Sequence, residues 1–250
     1  VKICVPIAAE NVDAALRKMK RAFSTADLVE LRIDRIGKAD LKMLLKRNPE
    51  RILVTNRRKE EGGYFRGKEK DRVAILKEAV SRGAGFVDIE VSTGSVLIGE
   101  LRNAVRKRGG KTKLIVSHHD PGGTPGIRAL RKKLDEGAGL GADIVKIVTT
   151  ARSMDDNIRV LSLIAKGREK GVDIIAFCMG DAGRVSRIMA PLLGSFLTFA
   201  SLQQGEESAP GQFTVGEMRK MLKWFEGSGV QGVKRWSTGC DKKQRLEKLR

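Results

Sequence analysis

At 250 residues, with 32% charged and 41% hydrophobic residues, the chain could hold two small domains, but an α/β barrel of this length is routinely one. Its 49 Lys and Arg against 30 Asp and Glu leave a net charge of +19, which admits nucleic acid or an anionic membrane as partner. Aromatics make up only 4% of the chain, too few for stacking platforms on single strands. The basic residues are spread over nearly every predicted helix. The densest faces, Arg102/Arg106/Lys107/Arg108 and Arg128/Arg131/Lys132/Lys133, read as a solvated outer surface, so small anionic substrates are the preferred reading of the charge. Cys4, Cys178 and Cys240 are odd in number and show no C-x-x-C spacing, which argues for a reducing compartment and against zinc or a disulfide frame. With no N-terminal signal pattern and no apolar run long enough to span a bilayer, a cytoplasmic protein is expected.

In chain order the predicted strands are KICVPI, LVELRI, RILVT, GFVDIEV, KLIVSHH, ADIVKIV, VDIIAFCM and GSFLTFA. Between them, stretches such as 12–22, 68–82 and 155–166 carry helical apolar spacing with charged outer faces. Gly83, Gly109, Gly141 and Gly171 follow helices, where C-caps place glycine. About eight βα units predict a closed (β/α)8 TIM barrel in one domain, residues 1–226. A doubly wound open sheet is the alternative, but no Gly-rich dinucleotide fingerprint follows the first strand. Residues 227–250 are basic and poor in apolar residues, and predict a disordered or loosely docked tail.

A lysine inside the run ADIVKIV is the most informative residue of the chain. A buried parallel strand should be apolar nearly throughout, so Lys146 must find a partner or shed its proton. A neutral amine attacks carbonyls and can form a Schiff base; a structural lysine paired with a carboxylate is the other reading. Strand parity favours chemistry. Val29, Leu31 and Ile33 share one face of VELRID, leaving Glu30, Arg32 and Asp34 on the other. Val87, Ile89 and Val91 likewise leave Asp88 and Glu90 opposed, and Ser117 shares a face with His119. With the apolar sets against helices, the polar sets converge inside the barrel near the C-terminal strand ends, where such barrels carry active sites. Of the two adjacent histidines, parity points His119 inward and His118 outward. A lysine and histidine among arginines suggest chemistry on a carbonyl compound that bears a carboxylate.

Two loops add to this set. TNRRKEEGGYF offers Arg57 and Glu61 before a Gly62-Gly63 hinge, and QQGEESAPGQ (203–212) reads as a lid or a surface linker.

Taken together, VELRID, TNRRKEEGG, VDIEV, SHHD, ADIVKI, GRVSR, GS-x₃-F and SAPGQ, in this order, resemble the type I 3-dehydroquinate dehydratase family. The resemblance implies a (β/α)8 barrel, usually a homodimer, that uses no metal and no diffusible cofactor and converts 3-dehydroquinate to 3-dehydroshikimate and water. It implies Lys146 as the Schiff-base lysine, His119 as general acid and base, and Glu61 as the group orienting His119. Asp88 would anchor from behind. Glu30, Arg32 and Arg57 would bind ring hydroxyls and charge, Arg187 the carboxylate, and Ser208 and Gln212 would close from the lid. The chain departs from the family at Pro6 and Ile7, where many members place a serine, and at Leu31, where some have tryptophan; its lid is slightly longer. A class I aldolase using the same lysine, and a basic nucleic-acid-binding protein, are the competing readings. Neither a Gly-rich phosphate cup nor stacking aromatics support them.

Overall fold

The computed structural model describes residues 1–227; the predicted basic tail lies outside the described residues except for Gly227. Eight parallel strands occur in the order β7-β6-β5-β4-β3-β2-β1-β8: β1 (Ile3–Ala9), β2 (Leu28–Ile36), β3 (Ile52–Thr55), β4 (Phe86–Glu90), β5 (Lys113–Asp120), β6 (Ile144–Thr150), β7 (Asp173–Met179) and β8 (Thr198–Phe199). The helices are α1 (Val12–Phe23), α2 (Leu41–Leu44), α3 (Glu69–Ser81), α4 (Ser95–Lys107), α5 (Ile127–Gly139), α6 (Met154–Glu169), α7 (Arg184–Leu192) and α8 (Val215–Gly227). This is the expected (β/α)8 barrel, nearly closed.

Local signals explain where the helices start. Asn11 accepts the Ala14 N–H at the head of α1, and Ser153 with Asp156 forms a capping box on α6. The four glycines expected after helices all take left-handed φ, between 66° and 92°.

Strand parity places the core. Val5, Val29, Leu31, Val54, Val87 and Ile89 pack with the buried faces of α1, α3 and α4 in one apolar cluster. Cys4, Leu28, Leu53 and Ile115 cluster together although they come from four strands, which only the enclosed side of the sheet permits. Each such aliphatic side chain contributes about 1.5–3 kcal/mol by leaving water. Above this apolar floor the inward positions turn polar.

The eighth strand is shorter than the predicted 194–200. Phe196 donates its N–H to Ile174 O of β7 (2.7 Å), whereas Thr198 and Ala200 donate to Lys2 and Cys4 on the β1 side (3.0 and 3.1 Å). The segment switches partners across the seam, so only two residues form a ladder with β1.

Candidate active site

Neighbouring strands pair Thr55 with Asp88, Glu90 with Ser117, Ser117 with Lys146 and His119 with Val148. Parity then turns Glu30, Thr55, Asp88, Glu90, Ser117, His119 and Lys146 into one space, and all but His119, which is partly buried, are buried. Lys146, only 4% exposed, places Nζ 3.2 Å from Asp88 Oδ2, 3.7 Å from Glu30 Oε1 and 4.5 Å from the centre of the Phe199 ring. Thr55 Oγ1 donates to Glu30 (2.8 Å).

Asp88 is the hub. It accepts from Ser117 Oγ (2.6 Å) and from Arg57 Nη2 (2.9 Å) as well as from Lys146. Burial alone would raise its carboxyl, but the charges of Arg57 and Lys146 and the Arg57 hydrogen bond outweigh burial and hold it far below the usual carboxylate range. Arg57 is in turn shared: Nη1 donates to Glu90 Oε1 and to Ser117 Oγ, both at 2.8 Å. Desolvation pulls its guanidinium down, and Asp88 and Glu90 more than reverse that, so Arg57 stays charged.

His119 sits at the mouth. Glu61 Oε2 accepts the His119 backbone N–H (2.8 Å) and lies 3.3 Å from Nδ1, while Ser92 donates to Glu61 Oε1 (2.7 Å). A carboxylate beside Nδ1 favours the tautomer with the proton there, which leaves Nε2 a bare lone pair. Burial first, then the charges of Arg57 and Lys146, push His119 well below its ordinary value, so the ring is neutral at pH 7. Burial also raises Glu61. The loop carrying Glu61 depends on Gly63, where a Cβ would stand 2.0 Å from the Arg57 carbonyl oxygen. His118, half-buried, is pushed down by burial and then by the charge of Lys133 on α5.

Arg187 of α7 is 1% exposed. Its guanidinium lies 4.7 Å from the Phe177 ring and Nη2 donates to Pro210 O (3.1 Å), while Nε is buried with no hydrogen-bond partner. It pairs with no carboxylate among the described residues, and burial pushes it down to about 10.

The remaining predicted residues are placed differently from one another. Arg32 faces the interior but forms a fork with Asp34 (2.9 and 2.8 Å), whose other contact is the Tyr64 N–H (3.1 Å). Ser208 and Gln212 bind each other, through Ser208 N to Gln212 Oε1 (2.8 Å) and Gln212 Nε2 to Ser208 Oγ (3.2 Å). Their loop meets the site through Pro210, against Arg187.

Two contributors were not singled out by sequence reasoning: Ser92, which holds Glu61, and Arg72, bound to Glu90 from α3; Phe199, which closes the GS-x₃-F motif, lies under Lys146. Arg72 carried a legible signal. It shares the buried face of α3 with Val73, Leu76, Ala79 and Val80, the same anomaly of a charge in an apolar stripe that marks Lys146.

Fold and site together define a class: a (β/α)8-barrel enzyme with an enclosed lysine, a neutral histidine and a buried arginine that meets no carboxylate among the described residues. The chain belongs to the type I 3-dehydroquinase family, which matches residues 3–228, and is a dehydratase, that is a lyase. It is 39% identical over 221 residues to the 3-dehydroquinate dehydratase of Thermococcus gammatolerans (88% of this chain, 97% of the relative). To that of Desulfotalea psychrophila it is 38% identical over 218 residues (87% and 95%). The crystal structure of the Geobacillus kaustophilus 3-dehydroquinate dehydratase superposes with a TM-score of 0.82 at 27% identity, covering 91% of this chain and 92% of that one.

Proposed function

We propose that this enzyme dehydrates 3-dehydroquinate through an imine on Lys146, with His119 as the proton carrier. The observation that carries the reading is the buried Lys146 amine beside Asp88 and Glu30, in one barrel with an Arg187 that meets no carboxylate among the described residues. A substrate carboxylate would supply the anion Arg187 lacks, by a charge-assisted fork, and would seat the C3 ketone over Lys146. Lys146 gives a proton to His119 Nε2, the neutral amine adds to C3, and His119 returns the proton to the carbinolamine hydroxyl, which leaves as water to give the imine. The imine acts as an electron sink, so a base can take the C2 proton and leave an enamine. Electrons then return to expel the C1 hydroxyl, which leaves as water with a proton from His119. Hydrolysis of the imine releases 3-dehydroshikimate and frees the amine.

Glu61 keeps the bare Nε2 of His119 aimed at the site, and Asp88 steadies the charge that Lys146 alternately carries and loses. Arg57 and Glu30 line the ring side. Arg32 would exchange part of its fork with Asp34 for substrate, and Ser208 and Gln212, already joined, would close over it as the lid. The catalytic unit is residues 1–226, with 227–250 outside it. Two buried free cysteines, Cys4 and Cys178, suit a cytoplasmic setting, and among the described residues no helix is long and apolar enough to cross a membrane. A homodimer is the assembly the family resemblance implies.

The test is borohydride reduction during turnover of 3-dehydroquinate, followed by peptide mapping. A reduced adduct on Lys146 is expected. Turnover without any trapped adduct would overturn the imine, and an adduct on another lysine would overturn its placement.

A further inference from the structure

We propose that Arg72, on α3 outside the barrel wall, is a positioning residue for the reaction, acting on Lys146 through Glu90, Arg57 and Asp88. The inference rests on the imine reading of Lys146 given above.

Arg72 is completely buried, and every nitrogen of its guanidinium is engaged. Nη1 donates to Glu90 Oε2 and to Asn56 O (3.0 Å), Nη2 to Thr93 Oγ1 (2.5 Å) and Glu69 Oε2 (2.8 Å), and Nε to Glu69 Oε1 (3.2 Å). Glu90 is thereby divided. One oxygen faces Arg72; the other accepts Arg57 Nη1 (2.8 Å) and the Arg58 N–H (3.2 Å). Arg57 Nη2 reaches Asp88 (2.9 Å), and Asp88 reaches Lys146 (3.2 Å). Alternating charges therefore run without a gap from the helix layer to the reactive amine.

The sign of each charge matters here. Inside the wall, Glu30, Asp88 and Glu90 are balanced by Lys146, Arg57 and Arg72. Glu69 meets Arg72 from the solvent side, where its side chain is 32% exposed and screening weakens it. Without Arg72, Glu90 is under-neutralised and draws Arg57 toward itself, slackening the Arg57–Asp88 contact. Asp88, with Ser117 still bound, then has Lys146 as its nearest cation and holds it as an ammonium, out of attack. Arg72 also fixes the carbonyl of Asn56, the residue immediately before Arg57. Arg187, held by Phe177 and Pro210, is not a member of this chain of charges. The effect therefore falls on the rate of imine formation and not on capture of the substrate carboxylate.

A merely structural tie between α3 and the barrel predicts something else: lower stability with normal turnover per folded molecule. The experiment compares Arg72→Lys, Arg72→Met and the double variant Arg72→Met/Glu90→Gln, with kcat and KM normalised to folded enzyme. Arg72→Met should lower kcat about 10- to 100-fold, about 1.4–2.7 kcal/mol and within the range of coupling in one buried network, with a much smaller change in KM. Arg72→Lys, which keeps the charge, should recover most of kcat. Arg72→Met/Glu90→Gln should turn over faster than Arg72→Met, because it removes the uncompensated anion. The double variant also guards against loss of fold, since deleting both partners of a buried pair is far milder than deleting one. An unchanged kcat in Arg72→Met, or a double variant slower than it, would overturn the proposal. Borohydride trapping of the wild-type enzyme runs in parallel. No adduct on Lys146 there defeats the imine reading itself, whereas an adduct with normal kcat in Arg72→Met defeats only the role of Arg72.

Discussion

The two walls of the barrel hold their buried charges in opposite ways. From β2 to β6, Glu30, Asp88, Glu90, Arg57 and Lys146 meet opposite charges within 4 Å. On the side of β7, β8 and α7, Arg187 meets a ring, a carbonyl and no carboxylate among the described residues. A self-satisfied wall fixes geometry and asks nothing of a ligand. A desolvated cation with no anion leaves the folded protein with a deficit that an anionic substrate makes good. On the proposed mechanism the first wall builds the reactive amine and the second selects what reaches it.

The sharpest break of this arrangement is Lys146→Ala. It should abolish turnover and borohydride trapping while the protein still unfolds cooperatively, because Asp88 keeps Arg57 and Ser117; residual steady-state turnover would defeat the mechanism. Next is His119→Ala, which should lower kcat by about 10²–10⁴-fold, the usual worth of a positioned acid–base group. His118→Ala should leave kcat near wild type, and the reverse ranking of the two would refute the parity assignment.

A paired comparison then tests the walls against each other. Arg57→Met strips Asp88 and Glu90 of their shared cation and should cost about 3–5 kcal/mol in denaturant unfolding. Arg187→Met removes a buried charge that meets no carboxylate among the described residues, so stability should hold or rise. Substrate capture should weaken about 10- to 100-fold, as befits one charge-assisted contact of about 1.5–3 kcal/mol. If Arg187→Met proves the more destabilising of the two, the contrast between the walls is wrong.

Much of the charged wall was legible because strand parity is a local property. Lys146, Glu30, Asp88, Glu90, Ser117 and His119 fall on the inward face of strands whose alternate residues are apolar, and eight such strands leave a barrel as the natural closure. Arg57 and Glu61 lie just past a strand end, close enough for the same argument. What parity cannot see is which residues become partners, since that depends on register between strands distant in sequence. Arg187 required the family resemblance, because a helical arginine at the start of α7 has no period-two signature. That Arg32 forks with Asp34, and that Ser208 and Gln212 join each other, is set by loop conformation. The two-residue β8 reflects a partner switch at the seam, invisible in GSFLTFA itself.

The smallest expected effect concerns protons, and the chain offers a clean readout because it has only two histidines. Burial, then Lys133, lowers His118; burial, then Arg57 and Lys146, lowers His119 much further. In an NMR titration of the ring resonances, both midpoints should fall below about 6.5, the unperturbed value, with His119 the lower. The same shift acts on stability. Above the unfolded value neither state binds the proton and His119 has no effect. As pH falls below it, the unfolded chain takes up a proton that the folded ring refuses, so stability drops by up to about 1.4 kcal/mol per pH unit until the folded value is passed. The difference in unfolding free energy between wild type and His119→Asn should carry that slope. A His119 midpoint at or above that of His118 would mean the ring is not held neutral by burial and the Arg57 and Lys146 charges, and would remove it as the base.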